Sequence, residues 1–320
     1  MRVLVTGIDG FVGSHTAEFL LQQPGVELHG TVLGSNLLEN IRHIRSSIHL
    51  HQLDILDGRA VQALVAGIRP ERVIHLAAQA FVPASIQYPT STFRVNILGG
   101  ICVLEAARSV TQDGGGPAIV MVSSGEVYGK VDMEGLPITE DCSLQPNNPY
   151  AASKASIDLI AQQYRRSFAM NVIVTRPFNH AGPRQSPVFV SSDFAKQFAE
   201  IAAGKRTPTM HVGNIEAGRD FTDVRDVVRA YWLLLEHPAD EAVFNVCSGH
   251  SVQIRELIET LCQVSGINVE VEVDQQRLRS HDAPVVVGSY DRLHKTTGWT
   301  PRIPIQQTLR EMYEYWKEQI

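Results

Sequence analysis

The sequence has few cysteines, no long apolar run and no excess of positive charge, and each absence excludes a class of protein. Its four cysteines are far apart and form no CxxC pair, so we expect neither a disulfide framework nor a structural zinc site. The 12 histidines are also scattered, without an HExxH motif. We therefore predict no bound metal and free thiols, as in the reducing cytoplasm.

The bulk composition is that of an ordinary globular protein, with 44% hydrophobic and 19% charged residues in a chain of 320. No apolar segment is long enough to span a bilayer, and the chain opens directly with a strand-like segment, so we expect no signal peptide and no membrane association. A net charge of −6 and a pI of about 6.1 argue against nucleic-acid binding.

Short apolar runs alternate with amphipathic stretches, which is typical of a parallel sheet with helices on both faces. The predicted strands are 2–6, 27–32, 48–53, 72–77, 118–123 and 172–176. The predicted helices are 11–22, 58–68, 90–108 and 149–166, followed by 191–203 and 225–237 after a change in texture near Pro177. The fold class is therefore α/β, with a doubly wound parallel sheet.

The C-terminal part is expected to be a smaller, mostly helical lobe that is interleaved with the sheet. We divide the chain into a nucleotide-binding domain at 1–177 and a substrate lobe at 178–320. Segments near 220–247 are expected to return to the first domain, with a late strand at 242–246. A strand at 269–273 should pair outside the main sheet. A cleft between two such lobes is a usual place for a ligand.

Three glycines follow the first predicted strand and open the first predicted helix. Gly7, Gly10 and Gly13 stand in a GxxGxxG spacing. In such a turn the first glycine permits the bend, the second lets the backbone approach a pyrophosphate, and the third lets helix and strand pack closely. The phosphates would bind the free N–H groups at the start of the helix. A plain tight turn is the alternative, and the spacing favours a dinucleotide site.

The end of the second strand distinguishes the two nicotinamide dinucleotides, because an acid there binds the ribose of NAD and an arginine binds the 2′-phosphate of NADP. Residues 30–36 contain neither. Ser35 and Asn36 can hydrogen-bond a phosphate and no carboxylate repels it, so we favour NADP(H), with NAD(H) possible. Asp54, after the third strand, either accepts from the adenine amino group or caps the next helix.

Tyr150 and Lys154 share one face of a predicted helix, and Ser124 emerges from the carboxyl end of a predicted strand, where ligands bind in open α/β sheets. A phenol has an ordinary pKa of about 10, which a neighbouring ammonium and a positive nicotinamide ring would lower. We predict that Ser124 holds a reacting oxygen, Tyr150 transfers a proton and Lys154 binds the nicotinamide ribose. A surface tyrosine and lysine are the alternative.

These residues resemble the extended short-chain dehydrogenase/reductases along the whole chain. The matching pieces are Thr6-Gly7-x-x-Gly10-x-x-Gly13, His75-Leu76-Ala77-Ala78, Asn96, Ser124, Tyr150-x-x-x-Lys154 and Arg176-Pro177-Phe178-Asn179. The family implies a Rossmann domain followed by a sugar-nucleotide lobe, in epimerases, dehydratases or reductases of nucleoside-diphosphate sugars. It implies cofactor contacts along these motifs and after the third strand, namely Ile8, Asp9, Phe11, Val12, Ile55, Leu76, Ala77 and Ala78.

The resemblance also bears on the remaining polar residues and on assembly. It implies that Asn179 lies near the substrate phosphates and Asn96 near the active site, although Asn96 could instead make a hydrogen bond at the start of a helix. Family members commonly form homodimers through the two long helices that match 90–108 and 149–166. The small and apolar residues there fit either that interface or internal packing.

Segments 179–185, 219–224, 245–249 and 292–299 resemble the branch of the family that acts on GDP-mannose and its 4-keto-6-deoxy product. In an acidic protein a diphosphate needs localised cations, and Arg219 and Arg279 can bind phosphate in bidentate fashion. Lys196 is a further candidate contact to the nucleotide. Asp282 either accepts from guanine or pairs with Arg279. A solvated surface charge is the alternative for each cation.

Gly125 and Glu126 bear on the reaction. Dehydratases of this branch carry Thr, a short polar residue and Glu, and the Glu removes the C5 proton while the C6 hydroxyl leaves. Here Gly125 stands in the middle position and offers the departing hydroxyl no donor. We therefore favour reduction of GDP-4-keto-6-deoxy-D-mannose to GDP-D-rhamnose, with Glu126 positioning the substrate. GDP-mannose 4,6-dehydration is the close alternative, and 4-epimerisation a weaker one.

Overall fold

The computed structural model describes residues 1–34, 38–111, 115–237, 240–275 and 283–320. The strands in these ranges are β1 (Arg2–Thr6), β2 (Glu27–Val32), β3 (His49–Gln52), β4 (Arg72–His75), β5 (Ala118–Val122), β6 (Val172–Pro177), β7 (Asn179–Ala181), β8 (Thr209–Val212), β9 (Gly218–Asp223), β10 (Val243–Val246), β11 (Ser251–Gln253), β12 (Glu270–Val273) and β13 (Val285–Val286). The α-helices are α1 (Phe11–Leu21), α2 (Gly58–Ile68), α3 (Val82–Gln87), α4 (Pro89–Phe93), α5 (Gly99–Ser109), α6 (Pro149–Phe168), α7 (Val190–Ala202), α8 (Val224–Glu236), α9 (Ile254–Ser265), α10 (Asp291–Thr297) and α11 (Ile305–Gln319).

The main sheet has seven parallel strands in the order β10-β6-β5-β4-β1-β2-β3. Its central strands are mostly buried and rich in Val, Ile and Leu, and β5 (Ala-Ile-Val-Met-Val) is apolar along its whole length, because helices cover both faces. One face packs against α1 and α8, and the other against α2, α5 and α6. The reversal of strand order beside β1 is the topology of a doubly wound nucleotide-binding sheet, so the predicted fold class is confirmed.

The strand predicted at 242–246 is β10, and it lies beside β6 in the main sheet. The strand predicted at 269–273 is β12, which pairs with β8 outside that sheet. A second small sheet places β9 between β11 and β13, with β7 also pairing to β9. Helices α7, α9 and α11 close a separate apolar core over these strands. The division at 177/178 stays a prediction.

The single helix predicted at 90–108 is wrong in one respect. The segment consists of α4, a π-helical turn at Arg94–Leu98, and α5. The extra residue of such a turn re-aims side chains, and π-turns are frequent at functional sites. Here it carries Asn96, which is buried and bonded to two other segments, as described below.

Candidate active site

The carboxyl ends of β1 and β4 are joined by the side chain of Thr6. Its Oγ1 accepts hydrogen bonds from the backbone N–H groups of Leu76 and Ala77 at 3.1 and 3.2 Å, and lies 2.8 Å from Nδ1 of His75. These bonds end β4 at His75, two residues earlier than predicted. Burial, aided by the Lys154 charge, lowers the pKa of His75 to about 3, so this imidazole is neutral.

The glycine turn is packed tightly at this edge. Gly7 has a φ of +70°, which favours glycine, and a Cβ built there would lie 3.0 Å from the Ala77 Cα. A Cβ at Gly13 would lie only 2.2 Å from the Gly7 carbonyl oxygen. The turn after β1 and the segment after β4 therefore touch, which brings together two of the predicted cofactor contacts.

The N-terminus of α1 is open to an anion. Its N-cap is Gly10, no side chain caps its N–H groups, and no acidic residue lies in its first turn. Free N–H groups at a helix start favour negative charge. A dinucleotide pyrophosphate therefore fits this turn.

Gly30 in β2 also supports the glycine turn, although it was not among the residues predicted from the sequence. A Cβ at Gly30 in β2 would lie 2.4 Å from Cγ2 of Ile8, so only glycine leaves room for the fully buried Ile8 side chain. A glycine inside a predicted strand is the signal that could have indicated it.

Of the contacts predicted for the adenosine part of the cofactor, the structure describes Asp54 and Ile55 only. Ser35 and Asn36 lie outside the described residues. Asp54 is exposed and accepts from the backbone N–H of Leu56 at 2.9 Å, within a turn. The helix-capping alternative for Asp54 is wrong, because Asp57 caps α2. The adenine contact of Asp54 stays a prediction, as does that of the buried Ile55.

Ser124 and Tyr150 are brought together at the carboxyl end of β5. Ser124 caps a short 3-10 turn at Gly125–Tyr128 and accepts from the Glu126 N–H. Burial raises the pKa of Tyr150 to about 12, a hydrogen bond with Ser124 lowers it, and the Glu126 charge raises it. The lowered pKa expected from the Tyr-Lys spacing is therefore wrong for the protein alone, because burial dominates. At neutral pH this phenol holds its proton.

Lys154 is 7% exposed, and its Nζ donates to the backbone oxygen of Val122 at 2.8 Å. Burial lowers the pKa of Lys154 from 10.5 to about 8. The ammonium thus lies beside the end of β5, below the loop that carries Ser124. This is a costly place for a lysine, which argues against the surface alternative.

Two side chains missed by the sequence analysis fix the start of α6. Ser85 is fully buried, and its Oγ accepts from the Tyr150 backbone N–H at 3.2 Å. Asn148 caps α6 by accepting from the Ala151 N–H at 2.8 Å. Asn96 reaches α6 from the π-turn, donating to Ser153 Oγ at 2.8 Å while accepting from the Gln79 N–H. The helix-start alternative for Asn96 is therefore wrong.

A buried ion pair supports the same helix from behind. Asp158, one turn after Lys154, binds Arg176 through contacts of 2.8 and 3.2 Å. Arg176 also donates to the Tyr128 hydroxyl, which donates to Asn245 in β10. The ion pair therefore connects α6, β6 and β10. Periodicity gave no sign of it, because its members are far apart in the chain.

The structure describes three of the five predicted substrate residues. Asn179 is exposed at the start of β7. Nη1 of Arg219 donates to the backbone oxygens of Gly218 and Ala283 at 2.7 and 2.9 Å. Lys196 lies 3.7 Å from Glu200 and 5.4 Å from the Trp316 ring centroid, so it is engaged within the lobe. Arg279 and Asp282 lie outside the described residues. Their roles stay predictions.

Over the described ranges, no group of three or more His, Cys, Asp or Glu side chains is placed to hold a metal ion. The same part of the chain contains no helix with the length and apolarity needed to cross a membrane. All four cysteines are free, at positions 102, 142, 247 and 262.

Comparison with known proteins gives matches along almost the entire chain. The family model of GDP-mannose 4,6 dehydratase matches residues 4–312. The GDP-6-deoxy-D-mannose reductase of Pseudomonas aeruginosa is 37% identical over 100% of this chain and 98% of its own. GDP-mannose 4,6 dehydratase 2 of Arabidopsis thaliana is 30% identical, over 97% of this chain and 85% of its own.

Solved structures agree with these sequence matches. A structure of RMD from Pseudomonas aeruginosa complexed with NADPH has a TM-score of 0.86 and 35% identity, covering 100% of this chain and 99% of the other. A UDP-glucose 4-epimerase from Thermotoga maritima, solved with UDP-glucose, has a TM-score of 0.88 and 27% identity, with 100% and 99% coverage.

Proposed function

Because this chain belongs to the GDP-mannose 4,6-dehydratase family, we propose that it reduces a GDP-4-keto-6-deoxyhexose, with NADPH as the reductant. The substrate we favour is GDP-4-keto-6-deoxy-D-mannose, and the product GDP-D-rhamnose. The observation that carries the proposal is the Ser124–Tyr150 pair beside buried Lys154, at the sheet edge where the open N-terminus of α1 also lies. The 37% identity to a reductase along the whole chain supports the same reaction.

The residues fit the cofactor. A bound NADPH would supply the hydride. The uncapped N–H groups at the start of α1 would hold its pyrophosphate, and Gly7 and Gly13 leave no side chain in that approach. Lys154, buried and charged below a pH of about 8, would hydrogen-bond the nicotinamide ribose.

The protonation states suit reduction of a ketone. Reduction requires a proton for the carbonyl oxygen, and Tyr150, whose pKa is raised to about 12, carries one at neutral pH. Ser124 would orient that oxygen by hydrogen bonding, while Tyr150 acts as general acid. Glu126 is exposed beside them, and we assign it to positioning the sugar.

A GDP-mannose 4,6-dehydratase is the second candidate, favoured by the Glu126 carboxylate near Tyr150 and by the 30% identity to a plant dehydratase. Against it, Gly125 is buried under Phe178 and offers the departing hydroxyl no polar group. A 4-epimerase is a weaker third candidate.

On the substrate side, we propose that Asn179, Arg219 and Arg279 contact the diphosphate and that Asp282 contacts the guanine. Arg219 fits this role because it lies in β9 of the substrate lobe, where its guanidinium is half-buried and bonded to the backbone oxygen of Ala283. Lys196 would have to leave Glu200 before it could bind a nucleotide.

The deciding experiment supplies GDP-4-keto-6-deoxy-D-mannose or GDP-mannose with NADPH and follows the nicotinamide absorbance. The reductase consumes NADPH stoichiometrically with the keto sugar and leaves GDP-mannose unchanged. A 4-keto product formed from GDP-mannose without net NADPH change would establish the dehydratase instead. Tyr150→Phe is the inactive control. Thermal shifts with GDP, UDP and dTDP, each with NADPH or NADH, identify the base and the cofactor by mass action.

We also propose that the protein is a homodimer in the cytoplasm. Phe93, Leu98 and Leu159 are 37%, 50% and 55% exposed on the two helical segments that match the dimer helices of the family, whereas Ala106, Ala107, Ala151 and Ile157 are buried within the chain. The four free cysteines fit a reducing compartment.

A further inference from the structure

The loop after β7 is tied to helix α1 by Arg184. Its Nη1 and Nη2 donate to Oε1 and Oε2 of Glu18 at 2.6 and 2.7 Å, a bidentate pair. Nη2 also lies 3.0 Å from Nδ1 of His15. We refer to His15, Glu18 and Arg184 as the Glu18 cluster. None of the three belongs to the site described above.

The imidazole of this cluster is fixed in one protonation state. His15 is 6% exposed, and its Nε2 lies 2.9 Å from the backbone oxygen of Pro183. Burial lowers the pKa of His15 to about 4, and the Arg184 charge acts in the same direction. A neutral ring that donates from Nε2 to Pro183 and accepts at Nδ1 from Arg184 satisfies both contacts. The tautomer is thus assigned by its two partners.

The backbone conformation of Arg184 indicates that its bonds to Glu18 and His15 hold the loop in place. Its φ is +70°, a left-handed conformation that L side chains rarely adopt. Such a conformation persists where the surroundings over-determine it, and it occurs often at sites with a function. Here the bidentate bond to Glu18 and the contact to His15 hold it.

The Glu18 cluster lies between the two predicted ligand sites. Helix α1 begins at the glycine turn, and its first residue, Phe11, stacks on His180 at 6.0 Å with an interplanar angle of 11°. His180 directly follows Asn179, the proposed phosphate contact. Helix α1 therefore touches the pyrophosphate site at its start and the substrate loop along its side, through Phe11, His15 and Glu18.

We propose that the Glu18 cluster couples the two sites, so that occupancy of the cofactor site orders residues 179–185 for the sugar nucleotide. Arg184 is then a positioning residue, which acts through the loop and does not touch either ligand. Any such coupling is reciprocal, and a typical size is about tenfold in affinity. The identity of the second ligand rests on the proposed function; the ordering of the loop by NADPH does not.

The first experiment is hydrogen exchange of the 179–185 backbone with and without NADPH. NADPH is expected to slow exchange there about tenfold in the unaltered protein and to leave it unchanged in Arg184→Leu. The matched control is Arg255→Leu, which removes an exposed arginine that pairs with Glu216 elsewhere in the lobe. Equal protection in the unaltered protein and in Arg184→Leu overturns the proposal, as does no protection in the unaltered protein.

The second experiment measures GDP affinity with and without NADPH. NADPH should tighten GDP binding about tenfold in the unaltered protein, and this ratio should fall to near one in Arg184→Leu and in Glu18→Gln. Arg184→Lys, which keeps the charge but loses the bidentate bond, should restore part of it. Under turnover, the KM of Arg184→Leu for the sugar nucleotide should be higher than that of the unaltered protein, while the two kcat values stay within about twofold of each other.

These readouts separate the proposal from the assigned reaction. If no form of the protein binds GDP, the proposed function fails, and the exchange experiment alone decides on the cluster. If Arg184→Leu does not fold, Glu18→Gln carries the same expectation in both experiments. An unchanged coupling ratio in Glu18→Gln then overturns the proposal.

Discussion

The backbone of Gly125 lies against the ring of Phe178. A Cβ built at Gly125 would be 3.1 Å from Cγ and Cδ2 of that ring. A Cβ at Gly288 would be 2.6 Å from Cζ of the same ring, so the ring packs closely against two glycines. A side chain at position 125 would therefore require the Phe178 ring to shift by a few tenths of an ångström.

Gly125→Ala should destabilise the protein by about 1–3 kcal/mol, because the added methyl must displace a buried ring. Thermal unfolding checks this. Phe178→Leu should relieve the clash, so the double variant should lose less than the sum of the single variants. Gly67→Ala in α2 is the control, since a Cβ there meets nothing within 4 Å. Equal losses of stability in Gly125→Ala and Gly67→Ala would contradict the close contact between Gly125 and Phe178.

Glu126→Gln should retain ketone reduction and move to lower pH the more alkaline of its two limits, which Tyr150 sets, while the limit that Lys154 sets near pH 8 stays in place. The Glu126 charge raises the pKa of Tyr150, so removing it favours the phenolate, and the proton-donating phenol is lost at a lower pH. The pH dependence of kcat/KM checks this, with the exposed Glu134→Gln as control. Complete loss of reduction in Glu126→Gln would place Glu126 in the proton transfer.

Lys154→Met should abolish activity yet stabilise the fold by about 2 kcal/mol at neutral pH. The Lys154 pKa is about 8 when folded against an ordinary 10.5. Below pH 8 both states are charged and the burial cost is complete, whereas stability rises as pH increases between these values. Chemical unfolding at several pH values measures both effects. The exposed Lys295→Met is the control. A less stable Lys154→Met would contradict the prediction.

Asp158→Asn should cost about 3–5 kcal/mol, because it leaves the Arg176 guanidinium buried without its counter-charge. Asp158 is fully buried and Arg176 is 4% exposed. Denaturant unfolding measures the loss. Glu314→Gln breaks the exposed pair with Lys317 and should change stability little. A similar loss in both variants would show that burial of the first pair is unimportant.

Leu159→Asp should convert the proposed dimer into a monomer, because it places a charge on an exposed apolar side chain of α6. Sedimentation measures the mass of the particle. Leu33→Asp, at an apolar side chain that is 73% exposed after β2, is the control. A monomer before any substitution would refute the dimer directly.

The sheet and most helices were predictable because apolar period and length are local properties, as in β5 and α2. The π-turn was not, because Asn96 is held by Gln79 and by Ser153 of α6, distant in the chain. A helix-forming pattern cannot show such a bond.

The catalytic residues were recognisable from their motifs, but their electrostatics were not. The pKa of Tyr150 depends on how deeply the phenol is buried, and that follows from tertiary packing. The pairing of Arg184 with Glu18 could not be predicted from local patterns, because the two residues are 166 positions apart in the chain.

Strand β10 completes the main sheet from a position late in the chain. During synthesis the first six strands leave the ribosome well before it, with β6 as an open edge. An unpaired apolar edge is a template for aggregation, and chains are made far more slowly than local structure forms. In the nascent chain the edge of β6 thus stays unpaired until Val243–Val246 has been synthesised and pairs with it. Because β10 comes late in the sequence, this topology exposes the nascent chain to aggregation through the edge of β6.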